Sequence, residues 1–203
     1  MKAITTILMA LLFLHPGKPV TEKWVIEKNS SLYIEGKSNV TAFTCDVTEY
    51  LRLDTVVFYK EDKYQPSITI KGGLTININR FDCHQRYITS DMRKTLKADE
   101  SSCLKIELLS IANFTARSGS QIIRGSVAIV LADVTKRMEV DFNVQLDDKG
   151  NLHLCGTRQI LFSDFGLIPP RKLAGLIKVS EEINVRFRLV MRPVDTGMNK
   201  TLL

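Results

Sequence analysis

The sequence predicts an all-β chain with one or two short helices, and three observations carry that expectation. Three long segments alternate apolar and polar residues with a period of two, which suits an antiparallel sheet wetted on one side. Turn-forming residues sit between the apolar segments, at Gly72-Gly73, Gly119, Asp147 to Asn151 and Pro169-Pro170. The composition, 44% hydrophobic and 25% charged over 203 residues, is that of a globular chain able to build a core without stapling by metals. Period alone leaves open whether such strands close into a barrel or pair as two sheets.

Taken in order, residues 1–20 read as a signal peptide. Met1 and Lys2 form a basic start, Ala3 to Leu14 an apolar run, and His15-Pro16-Gly17 a helix breaker. The run is shorter than the roughly 20 apolar residues a membrane span needs, so no stable membrane insertion is expected. No small-x-small cleavage site stands between Pro16 and Thr21, and no cysteine follows the run to accept a lipid. The chain is therefore expected to be secreted or periplasmic. Residues 21–193 read as one domain and 194–203 as a flexible tail.

Within that domain, strands are expected at Trp24 to Ile26, Leu32 to Ile34, Val40 to Cys45, Val56 to Tyr59 and Ser67 to Ile70. Leu74, Ile76 and Ile78 alternate with Thr75 and Asn77. Ser90 to Ala98 predicts a short helix capped by Ser90 or Asp91, with Met92 and Leu96 on one face. Further strands follow at Leu104 to Ile111, Val127 to Leu131, Met138 to Leu146, Leu152 to Phe162 and Ile183 to Leu189. After the proline pair, Arg171 to Leu176 suits a second short turn with Leu173 and Leu176 facing inward.

Four cysteines in an exported chain predict two disulfides. Of the three connectivities, Cys45 with Cys83 and Cys103 with Cys155 is favoured, because each pair joins strands or strand ends; each bridge would contribute about 4 kcal/mol. A zinc site ranks far below, since only Cys83 and His84 are neighbours, and no metal is expected. The net charge of +6, or +4 once Lys2 and Lys18 are removed, is scattered among acids with few aromatics, which argues against nucleic-acid binding. No nucleophile elbow, phosphate loop, dinucleotide fingerprint or paired-histidine metal motif is present. His153 reads as a solvent-facing strand residue and Asp164 as a turn or cap carboxylate, so no catalytic residue and no enzymatic activity are expected. The sequons at Asn29, Asn39, Asn113 and Asn199 are triplets that arise often by chance and carry little weight.

The stretch Phe162-Ser163-Asp164-Phe165-Gly166-Leu167-Ile168-Pro169-Pro170, then Gly175 to Val179 and the strand Ile183 to Phe187, resembles the YceI-like family of lipocalin-like, polyisoprenoid-binding bacterial proteins, in particular its cysteine-containing members. Ser31-Leu32, Gly36 to Val40 and Phe43-Thr44-Cys45 resemble its opening hairpin. Phe81-Asp82-Cys83, Asp91-Met92 and Leu96 to Asp99 resemble its central strand and helix. Ser101-Ser102-Cys103 stands where many members have proline. The resemblance implies an elongated antiparallel eight-stranded lipocalin-like β-barrel that holds a long-chain isoprenoid or fatty-acid-like amphiphile, with no other cofactor. The inward-facing candidates for its lining are Leu74, Ile76, Ile78, Val127, Ile129, Leu131, Val140, Phe142, Val144, Val185, Phe187 and Leu189. The alternative is a barrel with a packed interior that acts through its surface; an apolar tunnel supports the first reading and a filled core the second. Ala128 and Val130, read as outward-facing apolar residues, suit a homodimer.

Overall fold

Alternating segments with one apolar face bury that face only by closing on one another, and the chain does so as an antiparallel barrel. The computed structural model describes residues 20–47, 53–60, 65–114 and 119–194; all but the last residue of the expected signal peptide, most of the expected tail and Asn199 lie outside them. The strands are β1 (Val20–Ile26), β2 (Ser31–Lys37), β3 (Ala42–Val47), β4 (Thr55–Lys60), β5 (Ser67–Asn77) and β6 (Phe81–Asp82). Helix α1 (Arg86–Thr95) precedes β7 (Cys103–Ala112), β8 (Gln121–Leu131), β9 (Val134–Leu146) and β10 (Leu152–Leu161). A two-stranded ribbon, β11 (Arg171–Lys172) and β12 (Ile177–Lys178), leads into β13 (Glu182–Pro193).

Eight strands close the barrel in the order β1-β4-β5-β7-β8-β9-β10-β13, with β13 returning to β1 through Trp24, Val25 and Ile26. The first half of β13 pairs instead with β2, which carries β3 and β6 beside it. Since β6 follows β5 after one 3-10 turn (Ile78–Arg80), it prolongs the β5 wall. Close approach of strands demands glycine at one point above all. A Cβ on Gly73 would lie 2.0 Å from the Ile106 carbonyl oxygen of β7, where the β5–β7 register shifts.

Inside, alternate side chains from the eight barrel strands and from β2, β3 and β6 form one core. Phe58, Phe81, Phe142, Phe162, Phe165, Leu152 and Leu154 are among its fully buried members. Leu74, Ile76, Ile78, Val127, Ile129, Leu131, Val140, Phe142, Val144 and Leu189 are buried, and Val185 and Phe187 half-buried against them. Ile78 reaches the core from the 3-10 turn rather than from a strand.

Four expectations need correction. Helix α1 begins at Arg86, not at Ser90, because Asp82 and Thr89 organise the chain ahead of it. The Thr89 hydroxyl donates to Asp82 Oδ1 at 3.1 Å and accepts from the Cys83 N–H at 2.9 Å, while the His84 N–H donates to the same Asp82 oxygen. Leu173 and Leu176 do not face inward; they are 68% and 75% exposed, because Leu173 and Ala174 adopt left-handed backbone conformations that turn the ribbon tip outward. Ala128 is buried, flanked in register by Glu107 and Arg137, so it offers no open apolar face.

The fourth correction concerns the cysteines. Asp46 pairs with Asp82, which sets Cys45 opposite Cys83, and these two form a buried disulfide. Cys103 and Cys155 are free thiols. They occupy β7 and β10, with β8 and β9 between them, and the registers place them at opposite ends of the wall. From Thr135 to Asn143 alone the strand runs about 26 Å, whereas a disulfide needs Cα atoms within about 7 Å.

Candidate functional site

The end of the barrel where β10 stops and β13 starts is covered by α1, by the 3-10 turn Phe162–Phe165 and by the segment from Leu167 to Ser180. Between them lies an apolar cleft of about 540 Å³. Its floor is Met92 from α1 and Phe162, both buried, with Phe43 from β3 beside them. Phe43 lies flat across β2 because Gly36 stands opposite it, where a Cβ would meet the ring at 2.4 Å. Ile88, Pro170, Leu173, Ile177 and Val179 form the walls, and the hydroxyls of Ser38, Thr41, Ser90 and Thr95 edge the opening.

Polar ties hold the outer wall in place. Asn39, in the β2–β3 turn, donates from Nδ2 to the Leu176 carbonyl at 2.9 Å and accepts the Lys178 N–H on Oδ1 at 2.9 Å. Its amide is thus committed to the ribbon. The Ser180 N–H donates to the Lys37 carbonyl at 2.8 Å. Across the cleft, Lys172 Nζ lies 2.7 Å from Asp91 Oδ1, joining the ribbon to α1. The disulfide fixes the chain just ahead of α1 to β3.

Deeper in the barrel a cavity of about 30 Å³ remains. Of the expected lining residues, Leu74, Val127, Ile129, Val140, Phe142, Val185, Phe187 and Leu189 border it, together with Leu32, Ile106, Leu108, Met138, Arg158 and Ile160. Ile76, Ile78, Leu131 and Val144 are buried elsewhere in the core. Phe142 and Phe187 meet edge to face, ring centroids 5.6 Å apart, and fill the middle of the barrel. Such a cavity takes a water molecule or two, against the roughly 300–1,000 Å³ of an ordinary ligand pocket. In this conformation the interior is filled, and the open apolar volume lies at the mouth.

The wall also has a seam. β10 pairs with β9 only from Leu152–Leu146 to Gly156–Phe142, after which Thr157 to Leu161 stay with β13 and Val134 to Asp141 stay with β8. Lys136 Nζ approaches Asp164 Oδ1 at 3.9 Å at the rim below. Arg158 alternates inward with Ile160, yet solvent reaches it through this gap.

No group of three metal-ligating side chains occurs among the described residues. His153 is not a free solvent-facing residue: its ring lies 3.0 Å from Asp147 Oδ2 and 3.4 Å from Arg188. Hydrogen bonds from His153, then from the Asn151 side chain and backbone, hold the Asp147 carboxyl well below the usual aspartate range. This cluster closes the β9–β10 turn at the end away from the cleft. Asp164 accepts the Leu161 N–H at 3.0 Å, the turn-capping role its position suggests. Asp82 is likewise lowered, chiefly by the His84 N–H and then by Thr89, and its work is to anchor α1.

Sequence reasoning missed the cleft. Phe43, Ile88, Phe162, Ile177 and Val179 lie on the end of β3, on α1, on the 162–165 turn, on the two-residue β12 and just after it, segments too short or irregular for period two to report facing. The legible signal was Gly36 across the hairpin from Phe43.

No family model and no curated protein matches the chain. Among solved structures, it is similar to a polyisoprenoid binding domain from Saccharophagus degradans implicated in plant cell wall breakdown, at 14% identity and a TM-score of 0.62, over 84% of this chain and 98% of that one. It is also similar to Burkholderia cenocepacia BcnA, at 14% identity and a TM-score of 0.51, over 79% and 95% of the two chains. A Campylobacter jejuni YceI protein aligns at 14% identity and a TM-score of 0.43, over 64% and 72%. The fold implied by the resemblance in the sequence is the fold the chain adopts.

Proposed function

We propose that this chain is an exported, non-enzymatic carrier of a long-chain isoprenoid or similar amphiphile. The observation that carries the reading is the apolar cleft of about 540 Å³ at the barrel mouth, which falls within the size range of ligand pockets. Each methylene buried there contributes about 0.8 kcal/mol. The hydroxyls of Ser38, Thr41, Ser90 and Thr95 give a polar head group partners at the edge. In this reading a longer tail passes from the cleft into the interior only as core side chains such as Met138 change rotamer to admit it. The fold shared with a protein described as polyisoprenoid-binding supports the same reading. The buried Cys45–Cys83 disulfide suits an oxidising compartment, in keeping with the signal-like N-terminal sequence.

The filled interior favours a second reading, a barrel that works through its surface without a lipid. The two separate when protein recovered from an exporting host is extracted with solvent and the extract analysed by mass spectrometry. Isoprenoid or fatty-chain species in stoichiometric amount support the carrier; an extract without them supports the packed barrel.

A further inference from the structure

The rim of the cleft exposes apolar and basic side chains that barrel folding does not require. Of the nine large hydrophobic residues exposed among the described residues, three border this cleft, Val40, Tyr87 and Leu173; Leu176, tied to Asn39, stands beside them on the ribbon, and Ile168 lies on the segment leading into it. Their exposures run from 64% to 80%. Such a cluster on a soluble surface marks an interaction site rather than scattered apolar exposure.

Charge on the ribbon segment has one sign. Between Asp164 and Glu181 the sequence contains Arg171, Lys172 and Lys178 and no acid. Lys172 is paired with Asp91. Arg171 and Lys178 are exposed, form no ion pair among the described residues, and stand directly opposite each other across the two-residue ribbon. Like charges in that register repel and weaken the ribbon. The ribbon tip is strained as well, since the consecutive non-glycine residues Leu173 and Ala174 hold φ values of 50° and 53°. Strain of this kind persists where the surroundings enforce it, and here Asn39 and Lys172 do so. The cost is spent on presenting leucines to solvent beside two unneutralised cations.

Apolar tips interleaved with cations match the interface of an anionic bilayer, where acyl chains take the tips and lipid phosphates take the charges. We propose that the ribbon from Arg171 to Lys178, flanked by Tyr87 and Val40, docks the barrel mouth on an anionic membrane surface. Docked there, the cleft opens toward the lipid layer. The inference extends the carrier reading by assigning the surface across which its cargo would move.

The test is flotation of the exported protein with phosphatidylcholine vesicles, with and without phosphatidylglycerol. Each cation near an anionic surface strengthens binding about fivefold, so the phosphatidylglycerol vesicles are expected to bind roughly 25-fold more strongly and to lose that advantage in high salt. The variant R171Q/K178Q should bind both vesicle types equally. L173D/L176D should bind both about tenfold or more weakly; all four positions are exposed, so the melting temperature is expected to stay unchanged. No flotation with phosphatidylglycerol vesicles overturns the proposal, as does flotation that L173D/L176D leaves intact. Capture of a protein partner through this rim without lipid binding overturns it too. Solvent extraction run in parallel separates the two ideas: lipid in the extract without flotation sinks the docking surface alone, and flotation with an empty extract sinks the carrier alone.

Discussion

Replacing Cys45 and Cys83 by alanine tests how the mouth is held. The bridge closes a loop of 38 residues, for which the chain-entropy model gives about 4 kcal/mol. In a chain of this size each kcal/mol corresponds to roughly 2–4 °C of melting temperature, so the double variant should melt about 8–16 °C lower. Thermal melts by circular dichroism read this directly. C103S/C155S supplies the contrast, because neither thiol is bonded, and its melting temperature should move by no more than about 2 °C. Thiol titration of the denatured, unreduced protein should count the two sulfhydryls of Cys103 and Cys155. A C45A/C83A melting temperature close to that of the parent, or a titration that finds no thiol, would refute the reasoning.

Other perturbations reach separate parts of the account. Gly73→Ala forces a Cβ against the β7 backbone and should cost about 3 kcal/mol, whereas Gly150→Ala, with open space around it but a φ of 78°, should cost about 1 kcal/mol; chemical denaturation that ranks them the other way contradicts the packing described. Asp147 has its carboxyl pKa depressed in the folded chain, so its contribution is present above the usual aspartate value of 3.8 and is lost as pH falls below it. Melting curves of Asp147→Asn and the parent should therefore converge between pH 4 and strongly acidic solution, and a constant gap across that range would count against the hydrogen-bonded cluster. Ser90→Trp, at an exposed edge of the cleft, should leave stability within about 0.5 kcal/mol and reduce uptake of a polyprenol at least tenfold in a fluorescence displacement assay.

Strand patterning was legible because a one-residue slip would exchange faces across the whole barrel. Leu74, Val140 and Phe142 could be placed inside from alternation alone, and the structure buries them. The ends of the barrel follow other rules. Helix α1 starts through a side-chain network from Asp82 and Thr89 that has no periodic signature, and Gln85 at its cap makes no side-chain hydrogen bond that would announce it. The outward turn of Leu173 depends on a left-handed backbone at two residues that do not favour it. Cys103 and Cys155 each sit on a strand, as read, but only the strand order shows that they cannot meet. The cleft assembles residues from β3, α1, the 162–165 turn and β12, so its existence depends on tertiary closure that local sequence does not encode.

The proposed carrier takes up one long-chain amphiphile in the cleft and the barrel behind it. Native mass spectrometry of delipidated protein after incubation with a polyprenol tests it most directly. A single added mass of one polyprenol per chain is expected, diminished in Ser90→Trp; a spectrum that stays at the bare protein mass across a titration would contradict the carrier role.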